Sequence, residues 1–380
     1  MPESDSAAMQ LAWHYENPMA QAIEAHRAGI AVVGLTSNTI PWELIRAAGL
    51  FPVMLRPGRR ATPAADEYME TDVFQARIRQ IFDSALSGEW GFLRAIFLSR
   101  TSEQEYKLFL YLREIARENL RQGVPPVYLY DLLHSQSAET SAYGISRTEE
   151  LKRQLEAIAD RRINGPDMAE AVAESNAARA AVRRLLALRQ GVVRLTGTEA
   201  LPLIGAYWFM ARSEYAELAT EAAEIFSQRE PWPGARLIVK GAPLEHIRLH
   251  AALESHGAIV VAEDDWWGTR SVGADIEAGR DPMKAIFDHY YLDAPSPRLF
   301  PAGAADCWFE SRVREGVDGV VFYLPPEDSV LGWDFPRQKH FLDGLPIPSL
   351  VVNEDPGSGE LSSELHGSIE RFVKAIAAKR

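Results

Sequence analysis

The residues best suited to chemistry stand where apolar runs of the chain break. Ser37, Asn38 and Thr39 follow the β-branched run from Ile30 to Leu35. Hydroxyls and an amide at such a place can hold a carbonyl or anionic oxygen, helped by backbone N–H groups of a following helix. The same residues equally suit simple capping of that helix. Glu43, in its first turn, reads either as an acid or base facing a cleft or as a surface carboxylate favoured by the helix dipole. A second polar turn, Ser99 to Glu103, presents Arg100 and Glu103, suited to contact with a carboxylate and equally to a local salt bridge. Arg56, Arg59 and Arg60 form a basic cluster able to grip phosphates through charge-assisted bonds, although clusters of this size are usually solvated loops. Trp267 and Arg270, with Trp266, surround Gly268 and suit stacking on a flat ring or clamping a phosphate. Core packing is the alternative for the tryptophans.

Metal ligation is poorly served. His246, His250 and Glu254 share a helix face, but with no H-E-x-x-H motif and no nearby cysteine a solvated face is expected. Cys307 is the only cysteine, which excludes an internal disulfide and leaves at most one thiolate ligand. A small buried hydrophobe is its expected role. There is no Walker A loop, no G-x-G-x-x-G and no G-x-S-x-G.

The elements that position these residues read as alternating strands and helices. Ile30–Leu35 is a buried strand, Pro41 suits a first helical turn, Gly49 a helix stop, and Phe51–Leu55 a second strand. The polar turn thus lies at the carboxyl end of its strand, where open α/β sheets bind ligands. Strands over Phe92–Leu98 and Val124–Leu129 complete a first α/β lobe, residues 1–146, in which everything before Pro18 reads as a polar tail. Residues 147–230 are amphipathic helices, and PWPG at 231–234 opens a second α/β lobe, 231–380, with strands expected at Arg236–Val239, Ala258–Val261, Gly319–Tyr323 and Ser349–Val352. The fold class expected is α/β: two Rossmann-like or flavodoxin-like lobes with parallel sheets, joined by a helical segment. The formal charge of −13 argues against a nucleic-acid binder, and the absence of an 18-residue apolar run or a leader points to a cytoplasmic protein without a membrane anchor.

The order of motifs also carries a resemblance. A strand followed by Pro41, Glu43, Leu44, Ile45, Ala47, Ala48, Gly49, Pro52 and Val53 resembles the opening of the 2-hydroxyacyl-CoA dehydratase family, which includes the benzoyl-CoA reductase subunits. NAARAAVRRLLALRQ (176–190), RLIVKGAPLEH (236–246), EDDWWGTRSVGADI (263–276) and GVDGVVFYLPPEDSVLGWDFPRQKHFL (316–342) resemble later family segments in the same order. The resemblance implies two lobes with an acyl-CoA site between them. It also implies three cysteines per cluster-bearing subunit, one from each strand-end turn, binding a [4Fe–4S] cluster that receives an electron from an ATP-dependent activator. Here those turns carry Ser37, then Thr101-Ser102-Glu103, then Glu327-Asp328-Ser329, and iron–sulfur clusters need soft anionic thiolates. The expectation is therefore a clusterless subunit shaping an acyl-CoA site beside a cysteine-bearing homologous partner that holds the cluster, for radical dehydration (a lyase) or ring reduction (an oxidoreductase). The alternative is a stand-alone acyl-CoA-binding or regulatory protein without redox chemistry. Under either reading Ser37, Glu43, Arg100 and Glu103 are the candidate catalytic residues, with Arg100 facing a thioester or carboxylate. Asn38, Thr39, Arg56, Arg59, Arg60, Trp267 and Arg270 are the candidates for binding coenzyme A and its acyl group.

Overall fold

A computed structural model describes residues 6–57, 61–133, 135–265, 267–277, 279, 281–293, 303–326, 331–354 and 360–379. Two helices, α1 (Ala7–Glu16) and α2 (Ala20–Arg27), precede a first sheet unit. That unit runs β1 (Val32–Leu35), α3 (Trp42–Ala47), β2 (Phe51–Met54), α4 (Ala76–Leu86), β3 (Ala95–Ser99), α5 (Glu103–Arg117) and β4 (Val127–Tyr130). Four helices follow: α6 (Ala138–Ala159), α7 (Gly165–Ala187), α8 (Gly197–Gly205) and α9 (Arg212–Ser227). The second sheet unit starts with β5 (Ala235–Gly241), α10 (Arg248–Ser255), β6 (Ala258–Glu263) and α11 (Pro282–Asp288), the last running into a π-helical turn, His289–Asp293. It ends with α12 (Gly303–Arg314), β7 (Gly319–Tyr323), α13 (Phe335–Asp343), β8 (Ser349–Val352) and α14 (Ser363–Ala377).

Both sheets are four-stranded and parallel, ordered β2-β1-β3-β4 and β6-β5-β7-β8. The chain direction across each sheet reverses once, between β1 and β3 and between β5 and β7, and the crevice at such a reversal is where doubly wound sheets hold ligands. The expected α/β class with two parallel-sheet lobes is thus what the chain adopts. Continuous apolar runs in β1 and β3 are buried throughout, as helices on both faces require.

The cores divide differently from the lobes. One cluster joins the first sheet, α1 and the four central helices, and it also takes in Trp267, Ile276, Ile286, Phe287, Tyr290 and Tyr291 from beyond β6. The second sheet has its own packing on each face: Leu249, Leu253, Ile369 and Phe372 on one, Phe309, Val313 and Leu342 on the other. These six residues therefore leave the second sheet and finish the first core.

Two departures from expectation have local causes. The residues before Pro18 include α1, whose Ala7, Leu11 and Tyr15 form a buried stripe with one residue per turn. Helix α6 begins at Ala138 rather than Glu149, because Ser137 and Thr140 form a reciprocal capping box ahead of a stretch with few large apolar residues.

At the second crevice Gly241 closes β5 with φ +138°, and a Cβ there would lie 1.9 Å from the Tyr323 carbonyl oxygen. Only glycine lets the β5 and β7 ends approach this closely. Gly241→Ala is expected to cost roughly 3 kcal/mol or more, read from the urea unfolding midpoint; an unchanged midpoint would contradict this reading.

Candidate functional site

The polar turn after β1 is buried, with Ser37, Asn38 and Thr39 each 3% exposed. Ser37 Oγ lies 3.1 Å from Thr39 Oγ1 and accepts the Thr39 N–H at 3.3 Å. These residues do not cap α3: its N-cap is Pro41, without a side-chain bond, and the Trp42 N–H donates to the Tyr290 hydroxyl at 3.2 Å. That helix-start N–H is therefore taken within the chain.

Glu43 is neither on the surface nor free to trade protons. It is fully buried, and its Oε1 accepts from Ser175 Oγ and from Arg179 Nη2, each at 2.5 Å. Its Oε2 accepts from the Tyr290 hydroxyl at 2.8 Å. Burial alone would push this carboxyl up. The charges of Arg179 and His289 and the Ser175 bond outweigh it and hold the group at about 2. Glu43 is thus a fixed anion joining α3, α7 and the π turn. Burial and the Arg179 charge hold the neighbouring His289 down at about 4, so it is neutral near pH 7. Behind Trp42, the buried Arg212 guanidinium lies 3.1 Å from the centre of the Tyr207 ring and 5.0 Å from that of Trp42. These contacts offset part of its desolvation.

The turn after β3 splits into two layers. Arg100 and Glu103 face solvent and pair with each other at 3.3 Å, the local salt bridge weighed from the sequence, and Arg100 also lies over the Tyr106 ring. Beneath them Glu105 is buried and accepts the Thr101 N–H at 3.0 Å and the Ser99 hydroxyl at 3.2 Å. Burial dominates there and raises its pKa. Ser102 caps α5, its Oγ accepting the Glu105 N–H at 3.2 Å.

The proposed phosphate and ring contacts are otherwise engaged. The Arg56 guanidinium donates to the Tyr15 carbonyl and stacks 4.2 Å above the Tyr15 ring. Arg59, Arg60 and Trp266 lie outside the described residues, as does the third turn, Glu327 to Ser329. Trp267 is buried in the core against Tyr15 and Phe209, not open to a ligand. Arg270 Nε is bound to Asp264 Oδ1 at 2.5 Å, and Lys240 pairs with the other oxygen of that carboxylate.

Beside them lies a network that the sequence reading did not assemble. Arg189 grips both oxygens of Glu263, at 2.5 and 2.7 Å, and His250 Nε2 lies 2.9 Å from the same carboxylate. His250 is therefore buried, not on a solvated face. Glu254 is likewise drawn inward, accepting the Gly197, Thr198 and Val260 N–H groups. Two residues beyond Glu263, Asp265 is pushed up to about 7 by burial and the nearby Glu263 charge, against the pull of the Gly268 and Leu244 N–H bonds. Among the described residues no group of three His, Cys, Asp or Glu side chains could hold a metal ion. Cys307 is exposed on α12, not buried as expected: it falls on that helix's outward side.

The lobes meet at the carboxyl ends of their strands. Arg77, in the first turn of α4, reaches the carbonyls that end β1 and β2 and pairs at 2.6 Å with Glu245 from the loop after β5. The Tyr15 hydroxyl donates to the Glu245 carbonyl at 2.6 Å. A shallow groove of about 520 Å³ lies between α7 and α9, with an alanine floor and a glutamate rim.

Two doubly wound lobes meeting at the carboxyl ends of their strands define the class of the chain as a two-lobed α/β protein. The profile of the family described as 2-hydroxyglutaryl-CoA dehydratase, D-component, matches residues 38–376, and the chain belongs to that family. No curated protein matches the chain significantly. Among the described residues, no helix is long and apolar enough to cross a membrane.

Replacing Glu43 with Gln leaves Arg179 buried without a counter-charge and is expected to cost roughly 3–5 kcal/mol at neutral pH. Because the folded pKa is below the ordinary carboxylate value, this stabilisation is complete above about pH 4.5 and is lost as pH falls toward about 2. Urea unfolding at stepped pH should show the wild-type and Glu43→Gln curves converging on acidification. A gap that is constant with pH would refute the assignment.

Proposed function

We propose that the chain is a clusterless subunit of a 2-hydroxyacyl-CoA dehydratase or benzoyl-CoA reductase-type enzyme, shaping an acyl-CoA site beside an iron–sulfur-bearing homologous partner. The observation that carries this reading is the donor set. At the first two strand-end turns the side chains are hydroxyls already bonded within the chain: Ser37 to Thr39, and Ser99 and Thr101 to Glu105. Hard, protonated oxygens of this kind do not fit a [4Fe–4S] cluster. The one thiol stands on the outward side of α12 rather than at a strand end.

The family match supports an acyl-CoA thioester as ligand, and the meeting of the two crevices supports a site between the lobes. Within that site Ser37, Asn38 and Thr39 are the proposed contacts to the acyl group. Arg100, exposed at the neighbouring strand end, is the proposed contact to a thioester or carboxylate once its bond to Glu103 is exchanged. The cluster, and the ATP-dependent activator that would reduce it, belong to the partner in this reading.

The test is an anaerobic pull-down of the tagged chain from its native extract, with iron and acid-labile sulfide quantified. A homologous cysteine-bearing subunit should co-purify with both, and Cys307→Ser should leave the iron content unchanged. An iron-free protein without such a partner would overturn this reading in favour of a stand-alone acyl-CoA-binding or regulatory protein. Iron retained by the isolated chain would refute the donor argument.

A further inference from the structure

Arg77 occupies the position at which an anion entering the crevice would be met. Its Nη2 lies 3.4 Å from both the Thr36 and the Leu55 carbonyl oxygens, the outer limit of a hydrogen bond. Both are long contacts. The stronger contact is to Glu245, at 2.6 Å from Nε. Glu245 comes from the opposite lobe, and the Tyr15 hydroxyl bound to its carbonyl aims it. Arg56 stacks on the ring of that same tyrosine. Arg77 also lowers the pKa of Glu105 against the larger effect of burial, so its field reaches the turn after β3.

The Arg77 and Glu245 side chains are 27% and 19% exposed. A partly hydrated pair of this kind is weak, about a fivefold factor in an equilibrium constant. That separates it from the Glu43–Arg179 pair, which is 0% and 3% exposed and closed to exchange. An external oxyanion can compete with Glu245; none can reach Glu43.

We propose that Arg77 is the anion-binding residue of the interlobe crevice, and that Glu245 is an internal carboxylate keeping its place until a ligand carboxylate or phosphate displaces it. This rests on the crevice being the ligand site, as in the proposed function, and adds the residue that recognises the ligand's charge. Because Glu245 belongs to the opposite lobe, displacing it also removes a bond between the lobes, so ligand entry and crevice opening are one event.

The test is calorimetric titration of the full chain, as purified from its native extract, at low ionic strength with two probes. Coenzyme A offers phosphates and no carboxylate; glutarate offers only carboxylates. Glu245→Gln keeps the size of the side chain and removes its charge, and is expected to bind the fitting probe about fivefold more tightly. Arg77→Met should abolish that binding and Arg77→Lys should retain part of it, with melting temperatures confirming that each variant folds. Tightening with coenzyme A assigns a phosphate, and tightening with glutarate a carboxylate. If coenzyme A binds wild type and every variant alike, the Arg77 assignment fails while the acyl-CoA reading stands. If only glutarate binding responds and coenzyme A binds to none, Arg77 stands and the acyl-CoA reading fails. Should neither probe bind any form, both are overturned.

Discussion

The buried pair between Glu43 and Arg179 is the interaction on which the arrangement of the first lobe depends. Desolvating two such ions costs several kcal/mol each, and attraction alone does not offset this unless further bonds complete the geometry. Here they do. Ser175 and Tyr290 fill the carboxylate, and the Asn176 side chain takes another N–H of the guanidinium at 2.9 Å. Apolar packing is tolerant of rotation, whereas this fork of directed bonds is not. It therefore sets the angle at which α3 leaves the strand end, and with it the placing of the polar turn.

The same helix serves the other lobe. Arg189, just past the end of α7, holds Glu263 at the end of β6, while Arg179 in its body holds Glu43 beyond the end of β1. The two arginines are roughly 15 Å apart along the helix axis. Helix α7 thus acts as a ruler with a charged peg for each crevice, and its rigidity fixes the distance between the carboxyl edges of the two sheets. Helix α7 packs on α9, and Ala178, Ala181, Ala219 and Ala222 are among the buried residues of the two helices.

Much of the fold was legible because its signals are local. Apolar runs ending in polar turns marked β1, β3, β5 and β7, and the alternation with helices implied parallel sheets. The site was less legible, because its charges act through pairings distant in sequence. Glu43 reads the same whether it faces solvent or an arginine 136 residues away. Arg77 sits in an ordinary amphipathic helix, and Glu245 in a loop, with nothing local to join them. A clue did exist for Arg179: with Ser175 and Val182 it lies on one helix face at i, i+4 and i+7, so a charge shares a face with an apolar position. His250 misled in the opposite direction, since a histidine and a glutamate on one face resemble a solvated stripe until Glu263 and the start of α8 are brought against them.

Trp267, Ile276, Ile286, Phe287, Tyr290 and Tyr291 complete the hydrophobic core of the first lobe, although more than a hundred residues separate them from its last strand. During synthesis the N-terminal sheet and the central helices leave the ribosome well before Phe287, Tyr290 and Tyr291 do. Until those rings arrive, Glu43 and Arg179 lack one of their partners and a patch of the first core stands open to water. The nascent chain must therefore be held as an incomplete domain through most of its translation, which is when exposed apolar surface and unpaired strand edges make a protein most dependent on chaperones.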